Sequence, residues 1–324
     1  MSAPILQIRC LNVAYRSRRG RLRALRDVHL DVPANRIVGI VGESGCGKST
    51  LISTILGLLA PNAEVASGGS IQFDGLDLLK ATLADWTRIR GPRIATVFQD
   101  PMTSLNPVMS IATQMIDIQY RTSEPAAEKR RRAVEMLDRV GIPDAAVRID
   151  EYAHRFSGGM RQRIAIAMAL LMRPSLLIAD EPTTALDVTL EAQIVHLLKS
   201  LKRELDGSIL FVSHNLGLIA ELCDEVVVMY AGEVVEHATV RDLFHRPRHP
   251  YTRLLLACDP ARVAEGGGPL QTIPGGLPDL AALPQGCVFR SRCPDGIDAC
   301  QAQQPMRPAA ADHEVRCVRA VHHG

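Results

Sequence analysis

The chain has 324 residues, 47% apolar and 22% charged, with 37 basic and 35 acidic side chains and a formal net charge of +2. That composition supports a globular chain with a sizeable core, as one large domain with an appendage or two modest domains, and excludes a disordered one. Charge so evenly balanced gives no reason to expect nucleic acid or an anionic membrane surface as partner.

The opening MSAPILQIRCLNVAYRSRRG lacks a basic segment followed by an apolar stretch, so a secretory leader is not expected and a cytoplasmic location is. Residues 5–13 and 28–32 predict short strands on either side of the basic turn RSRRGR. The run RIVGIVG is β-branched and breaks into glycine, which predicts a buried strand. From Lys48 onward Leu51, Ile52, Ile55, Leu56 and Leu59 recur at helical spacing, giving a strand, loop and helix in succession.

After the turn-rich GGSIQFDG and a short strand, IATVFQ, residues 108–141 predict a mainly helical subdomain around the charged EKRRRAVEMLDRV. From residue 158 helix and strand alternate through GGMRQRIAIAMALLM, SLLIAD, TLEAQIVHLLKSLKREL, SILFVS, NLGLIAELC and EVVVMY. Such alternation predicts a mostly parallel sheet covered by helices. The most apolar run, Ile164 to Met172, is far shorter than the roughly 18–20 residues that cross a bilayer. From about Asp259 proline, glycine and cysteine replace periodicity. The expected division is therefore 1–258, with a helical subdomain at about 100–172, and an extension over 259–324.

Gly42 to Thr50, GESGCGKST, matches GxxxxGK[ST] between a predicted strand and a predicted helix, the context that the motif requires. A loop of Gly42, Ser44, Gly45, Cys46 and Gly47 can close its backbone amides around phosphate oxygens, aided by the positive end of the helix. Lys48 can reach the β and γ phosphates, Ser49 can offer its hydroxyl to magnesium, and Thr50 completes the set. Downstream, SLLIADE delivers Asp180 and Glu181 at the carboxyl end of a strand, where ligands sit on open α/β sheets. Asp180 suits the magnesium shell and Glu181 suits a base that polarises water. The blander alternatives are a glycine turn that binds nothing and a carboxylate pair that caps a turn.

With these elements in place, FSGGMRQR is similar to the LSGGQ signature of the ATP-binding cassette (ABC) ATPases, and the resemblance covers nearly the whole chain. Phe156 and Met160 depart from the commonest residues, whereas Ser157, Gly158 and Gly159, the expected phosphate contacts, are kept. The resemblance implies that Gln99 in TVFQDP joins the metal site to the partner interface and that Asp187 in TALD lies on the loop that crosses to a second subunit. It implies equally that His214 in FVSHN contacts the γ-phosphate. Tyr15 stands where an aromatic ring stacks on adenine, with simple packing as the alternative. The implied fold is an α/β P-loop cassette with a mixed sheet core, a helical subdomain and an N-terminal antiparallel β part. The implied cofactors are ATP and Mg²⁺, and two cassettes pair head to tail so that each Ser157 completes its neighbour's site.

The short interval from Gly42 to Ser157 leaves no room for the coiled coils of repair and chromosome ATPases, and the chain holds one cassette. VGESGCGKST, QDPMTSLNP, IADEPTTALDVT and RHPYTRLLL look like the ATPases of oligopeptide, dipeptide and nickel importers, in particular a peptide-type first subunit. The implied partners are a second ATPase subunit, identical or distinct, and two membrane-spanning permease subunits. An extracytoplasmic solute-binding protein would act indirectly. Nucleic acid is not expected. The implied place is peripheral, on the cytoplasmic face of the inner membrane, in a bacterial importer of di- or oligopeptides. Import of nickel or another small solute is the alternative, as is a soluble ATPase outside transport.

Cys287, Cys293, Cys300 and Cys317 are separated by five, six and sixteen residues in a segment with little core of its own, which calls for a staple. A reducing compartment favours metal over disulfide. The gaps exceed those of zinc knuckles, and four thiolates also suit a 4Fe-4S cluster, toward which the resemblance points. Zinc, reduced thiols and a redox disulfide are the alternatives. His313 is expected on a solvated loop or as a substitute ligand, Cys46 as filler in the phosphate loop, and Cys10, Cys223 and Cys258 as buried thiols.

Overall fold

The computed structural model describes residues 3–18, 20–99, 104–183, 188–202, 207–259 and 272–320. The chain divides into two compact units, 1–80 with 211–324, and 81–210.

The first unit opens with a long antiparallel hairpin, Pro4–Ser17 against Gly20–Pro33. Ala63–Val65 and Ser70–Phe73 pair with the first of these strands. Leu6, Ile8, Leu11 and Val13 face Leu25, Val28, Leu30 and Val32 in the core, the alternation that a half-buried sheet demands. The strands run well beyond the predicted segments because the basic run is the hairpin's tip, with Ser17 opposite Gly20 and Arg16 opposite Arg21. Alternation was obscured in the middle, where Cys10 and Asp27 take left-handed φ of 48° and 46° and the register shifts.

A second sheet carries the phosphate loop. Ile37–Val41, buried throughout, pairs parallel with Glu225–Tyr230, which pairs antiparallel with Glu233–Thr239. The extension then adds His313–Val315 and Arg307–Ala310, both antiparallel. The predicted parallel order therefore holds at the centre and gives way at this edge. Segments of three and four residues are too short to show a period of two.

The described part of 259–324 shares the core of this unit. Arg26 pairs with the buried Glu233 and donates to the carbonyls of Pro284 (2.7 Å) and Gly286 (2.9 Å). Phe289 packs edge-on to Tyr230 and Tyr251, with ring centroids 5.1 and 5.3 Å apart. Arg316 donates to the carbonyls of Val234 and Gln304 and pairs with Asp27. Burying guanidinium groups is tolerable here because each finds carbonyl and carboxylate partners. His313 is correspondingly buried in a strand, where its ring donates to Glu236 at 2.7 Å. The expectation of a solvated loop histidine or a metal ligand is thus corrected. Cys10, expected among buried thiols, is exposed.

The second unit holds the parallel pair Ile94–Val97 and Leu176–Asp180 with the helices Ile111–Asp117, Ala126–Arg139 and Gly158–Leu171. Ile111, Met115, Ala133, Leu137, Ile149, Phe156 and Ile164 form one apolar cluster beneath these helices. The arginine-rich face of Ala126–Arg139 lies outward, with Arg130 bidentate to Asp150 at 2.7 Å. Among the described residues, no helix is long and apolar enough to cross a membrane.

Candidate nucleotide site and cysteine cavity

The buried Ile37–Val41 strand ends at Gly42 and the helix Lys48–Ile55 begins behind Gly47. Gly47 caps that helix at φ 109°, and a Cβ there would stand 2.8 Å from the carbonyl of Ala24, so only glycine fits both the turn and the approach. Cys46 is buried beneath the loop, as expected of filler, and its carbonyl accepts from Gly232 N at 2.8 Å. Lys48 Nζ donates to the carbonyls of Gly42 (2.7 Å) and Glu43 (3.3 Å), which holds the ammonium inside the loop. Ser44, Gly45 and Ser49 are exposed, so amides and hydroxyl face solvent where an anion can enter. Tyr15 reaches Thr50, its hydroxyl 3.4 Å from Oγ1, which places the aromatic ring beside the start of this helix.

His214 is also in the first unit. It is exposed and follows Ser213, whose amide donates to the carbonyl of Ile40 at 3.2 Å, at the end of the strand that feeds the loop. Asn215 then caps the helix Leu216–Leu222 by accepting from Gly217 and Leu218.

In the second unit the two parallel strands bring their carboxyl ends together, with Val97 opposite Ala179. Gln99 Nε2 donates to Glu181 Oε2 at 3.3 Å. Glu181 follows Asp180 in a left-handed turn of φ 45°, an uncommon backbone for a non-glycine residue. Ser157 caps the helix Gly158–Leu171, its Oγ accepting from Met160 N at 3.3 Å. Gly158 has open space around it, whereas Gly159 lies against Leu190. Asp187 lies outside the described residues.

Cys287, Cys293, Cys300 and Cys317 line one narrow cavity with His249, Phe289 and Arg319. Gly286 makes this possible, since a Cβ there would fall 2.3 Å from the carbonyl of Cys300, the carbonyl that accepts from Cys287 N. Burial, with Cys300 nearby, pushes the Cys287 thiol up to about 11, and burial raises Cys293 as well. A bound cation reverses that cost by stabilising thiolates. Four cysteine sulfurs around one cavity are donors of the kind that soft metals take. Four sulfurs on one zinc at about 2.3 Å stand about 3.8 Å apart. Among the described residues, no three of these sulfurs lie within 4.8 Å of one another.

Sequence reasoning passed over two groupings. Cys10, Asp27 and His29 converge within 4.8 Å at the hairpin bulge, where Asp27 accepts from His29 and Arg316. That carboxylate is therefore already neutralised. The other grouping is around Glu43, with Tyr251 and Arg292 as its partners. Cys10 stands apart from Asp27 and His29 in sequence, and the partners of Glu43 lie 208 and 249 positions from it, so neither grouping shows itself locally.

A phosphate loop behind a buried strand, with a glutamine and a glutamate meeting at two strand ends, defines the class of P-loop nucleotide-binding cassettes. Residues 25–184 match the ABC transporter family and residues 235–300 match the C-terminal region of oligopeptide/dipeptide transporters. The chain is 43% identical to the oligopeptide transport ATP-binding protein OppD of Salmonella typhimurium, over 98% of this chain and 94% of that one. It is 43% identical to the dipeptide transport ATP-binding protein DppD of Bacillus subtilis, over 97% and 94%. A dimeric post-hydrolysis structure of the cassette MJ0796 bound to ADP and Pi superposes with TM-score 0.64 at 28% identity, covering 73% of this chain and 99% of that one. For cbiO1 from Clostridium perfringens, part of the ABC transporter complex cbiONQ, the TM-score is 0.65 at 30% identity, covering 76% and 92%. The chain belongs to the ABC transporter ATPase family, in the oligopeptide/dipeptide branch.

Proposed function

We propose that the chain is the ATP-hydrolysing subunit of a bacterial importer, turning ATP binding and hydrolysis in a cassette pair into uptake of di- or oligopeptides. The observation that carries this reading is one chain with both the phosphate loop and the 235–300 region, 43% identical along nearly its whole length to peptide-transport ATP-binding proteins.

Gly42, Ser44, Gly45, Cys46, Gly47, Lys48, Ser49 and Thr50 hold the phosphates, with Ser49, Gln99 and Asp180 at Mg²⁺. Glu181 takes the proton of the attacking water, His214 contacts the γ-phosphate, Tyr15 stacks on adenine, and Ser157, Gly158, Gly159 and Asp187 act across the dimer. Preorganised amides and charges of this kind stabilise charge that spreads over the γ-phosphoryl group in the transition state. The partner cassette is a second ATPase subunit, and two permease subunits dock at the inner face of the membrane. Exposed Phe98, Val108 and Tyr152 on the second unit support a docking surface there. The division into a cassette over 1–258 and an extension over 259–324 belongs to the same reading. Purified with its permeases in lipid, the subunit should hydrolyse ATP faster when a peptide-loaded binding protein is added. Stable association with ribosomes or DNA, and none with membrane subunits, would overturn it.

For the four cysteines the same reading assigns a 4Fe-4S cluster held by Cys287, Cys293, Cys300 and Cys317, supported by the cavity that the four share and by sequence gaps longer than those of zinc knuckles. When bound, such a cluster would supply a covalent staple among cysteines separated by five, six and sixteen residues. Anaerobic purification should give a broad visible absorption band with iron and sulfide in equal amounts. Zinc without sulfide would overturn the assignment.

A further inference from the structure

The second residue of the phosphate loop, Glu43, is a carboxylate in a loop shaped for polyanions. Left unpaired it would repel the phosphates that Lys48 and the loop amides attract. Its partner comes from the extension. Arg292 Nη1 donates to Oε2 at 2.8 Å and Nη2 to Oε1 at 3.1 Å, a two-pronged pair with the Arg292 side chain 5% exposed. The remaining donors fix the guanidinium, Nε to the carbonyl of Pro274 (2.8 Å) and Nη2 also to that of Ile273 (3.2 Å). Nη1 lies 3.3 Å from the Tyr230 hydroxyl.

Two more contacts hold the same loop. The amide of Glu43 donates to the Tyr251 hydroxyl at 2.9 Å, and Leu277 Cδ1 lies 3.6 Å from the position of a Cβ on Gly45. Arg292, held by the carbonyls of Ile273 and Pro274, thus pairs with the loop and Leu277 lies close to it, and all of these belong to the C-terminal part of the first unit.

We propose that Arg292 is a positioning residue for nucleotide binding. It neutralises Glu43 and holds that carboxylate toward the extension, so the extension sets the affinity of the phosphate loop for nucleotide. This rests on the loop holding a nucleotide, and it is independent of what the cysteines bind. A bare docking role for Arg292 would make removal of its charge harmful whatever stands at 43. The positioning role makes the harm depend on the Glu43 charge.

The test is titration of the purified full-length chain with ADP, in the wild type, Arg292→Ala, Glu43→Gln and the double variant, with KM and kcat for ATP measured alongside. Arg292→Ala should weaken ADP by about tenfold, about 1.4 kcal/mol, and raise KM more than it lowers kcat. Adding Glu43→Gln should restore affinity to within about threefold of wild type, and Glu43→Gln alone should bind at least as well as wild type. Should Arg292→Ala fail to fold in a thermal melt, Arg292→Lys, which keeps the charge without the fork, should show a smaller loss that Glu43→Gln also rescues. Unchanged affinity in Arg292→Ala, or a double variant as weak as the single, would overturn the proposal. Wild-type protein that binds no ADP would instead overturn the nucleotide site beneath it.

Discussion

Gln99 and Glu181 meet where two parallel strands end together, the amide of one donating to the carboxylate of the other over 3.3 Å. Under the proposed function the glutamine joins the metal site to the partner interface, so the contact would put the proposed base under the influence of whatever moves that segment. Glu181→Gln should keep ATP affinity within about threefold while lowering kcat by about 10²- to 10⁴-fold, the range for loss of a general base. Lys48→Ala should do the reverse and impair binding. Equilibrium binding beside single-turnover hydrolysis separates the two, and normal turnover in Glu181→Gln would remove it from the role of base.

Glu236 is fully buried and accepts from His313 and from the amides of Arg248 and His249. Burial alone would raise its pKa, but these bonds outweigh burial and hold the carboxyl below its ordinary range. A carboxylate depressed in the folded state stabilises at every pH above its unfolded value, about 4.3, and that stabilisation is lost as pH falls through the lower folded value. Glu236→Gln should therefore cost about 2 kcal/mol at pH 7 and flatten the acid limb below about pH 4. Urea unfolding at pH 7 and below pH 4 measures both effects, and equal losses at the two would contradict the assignment.

Gly286 permits a backbone approach that no side chain tolerates, with Cβ distances of 2.3 and 2.5 Å to the carbonyls of Cys300 and Gln301. Gly286→Ala should part Cys287 from Cys300 and leave the protein with less than half its iron, as read by metal analysis against protein concentration. Full iron loading would show that the cysteines are not held by this approach.

Arg292 directly precedes Cys293, so a ligand of the proposed cluster and the partner of Glu43 share one turn. Cys293→Ser should weaken ADP severalfold, and because linkage is reciprocal, bound nucleotide should in turn favour retention of iron against a chelator. Chelation time courses with and without ADP read this directly. Identical courses would mean that the two sites do not communicate.

The strand, loop and helix around Gly42 to Thr50 and the strand that ends at Asp180 were legible because the residues that mark them are neighbours in sequence. The outer sheet was less so. Asp27 interrupts alternation with a left-handed turn just before the predicted second strand, and the first is cut short because the basic run forms the hairpin tip. The ties between the extension and the rest of the first unit are not legible in the sequence, because the partners are remote. Arg292 finds Glu43 and Arg26 finds Gly286 only once the chain is folded. His313 was misjudged for the same reason, since a histidine among polar neighbours gives no sign of a buried carboxylate 77 positions away.

The most direct test of the whole account is ATP-driven uptake of a labelled peptide into vesicles that hold the chain with its permease subunits and a binding protein. Wild type should accumulate peptide, and Glu181→Gln, assembled to the same level, should not. Equal accumulation by both, or wild-type vesicles that hydrolyse ATP without regard to peptide, would contradict it.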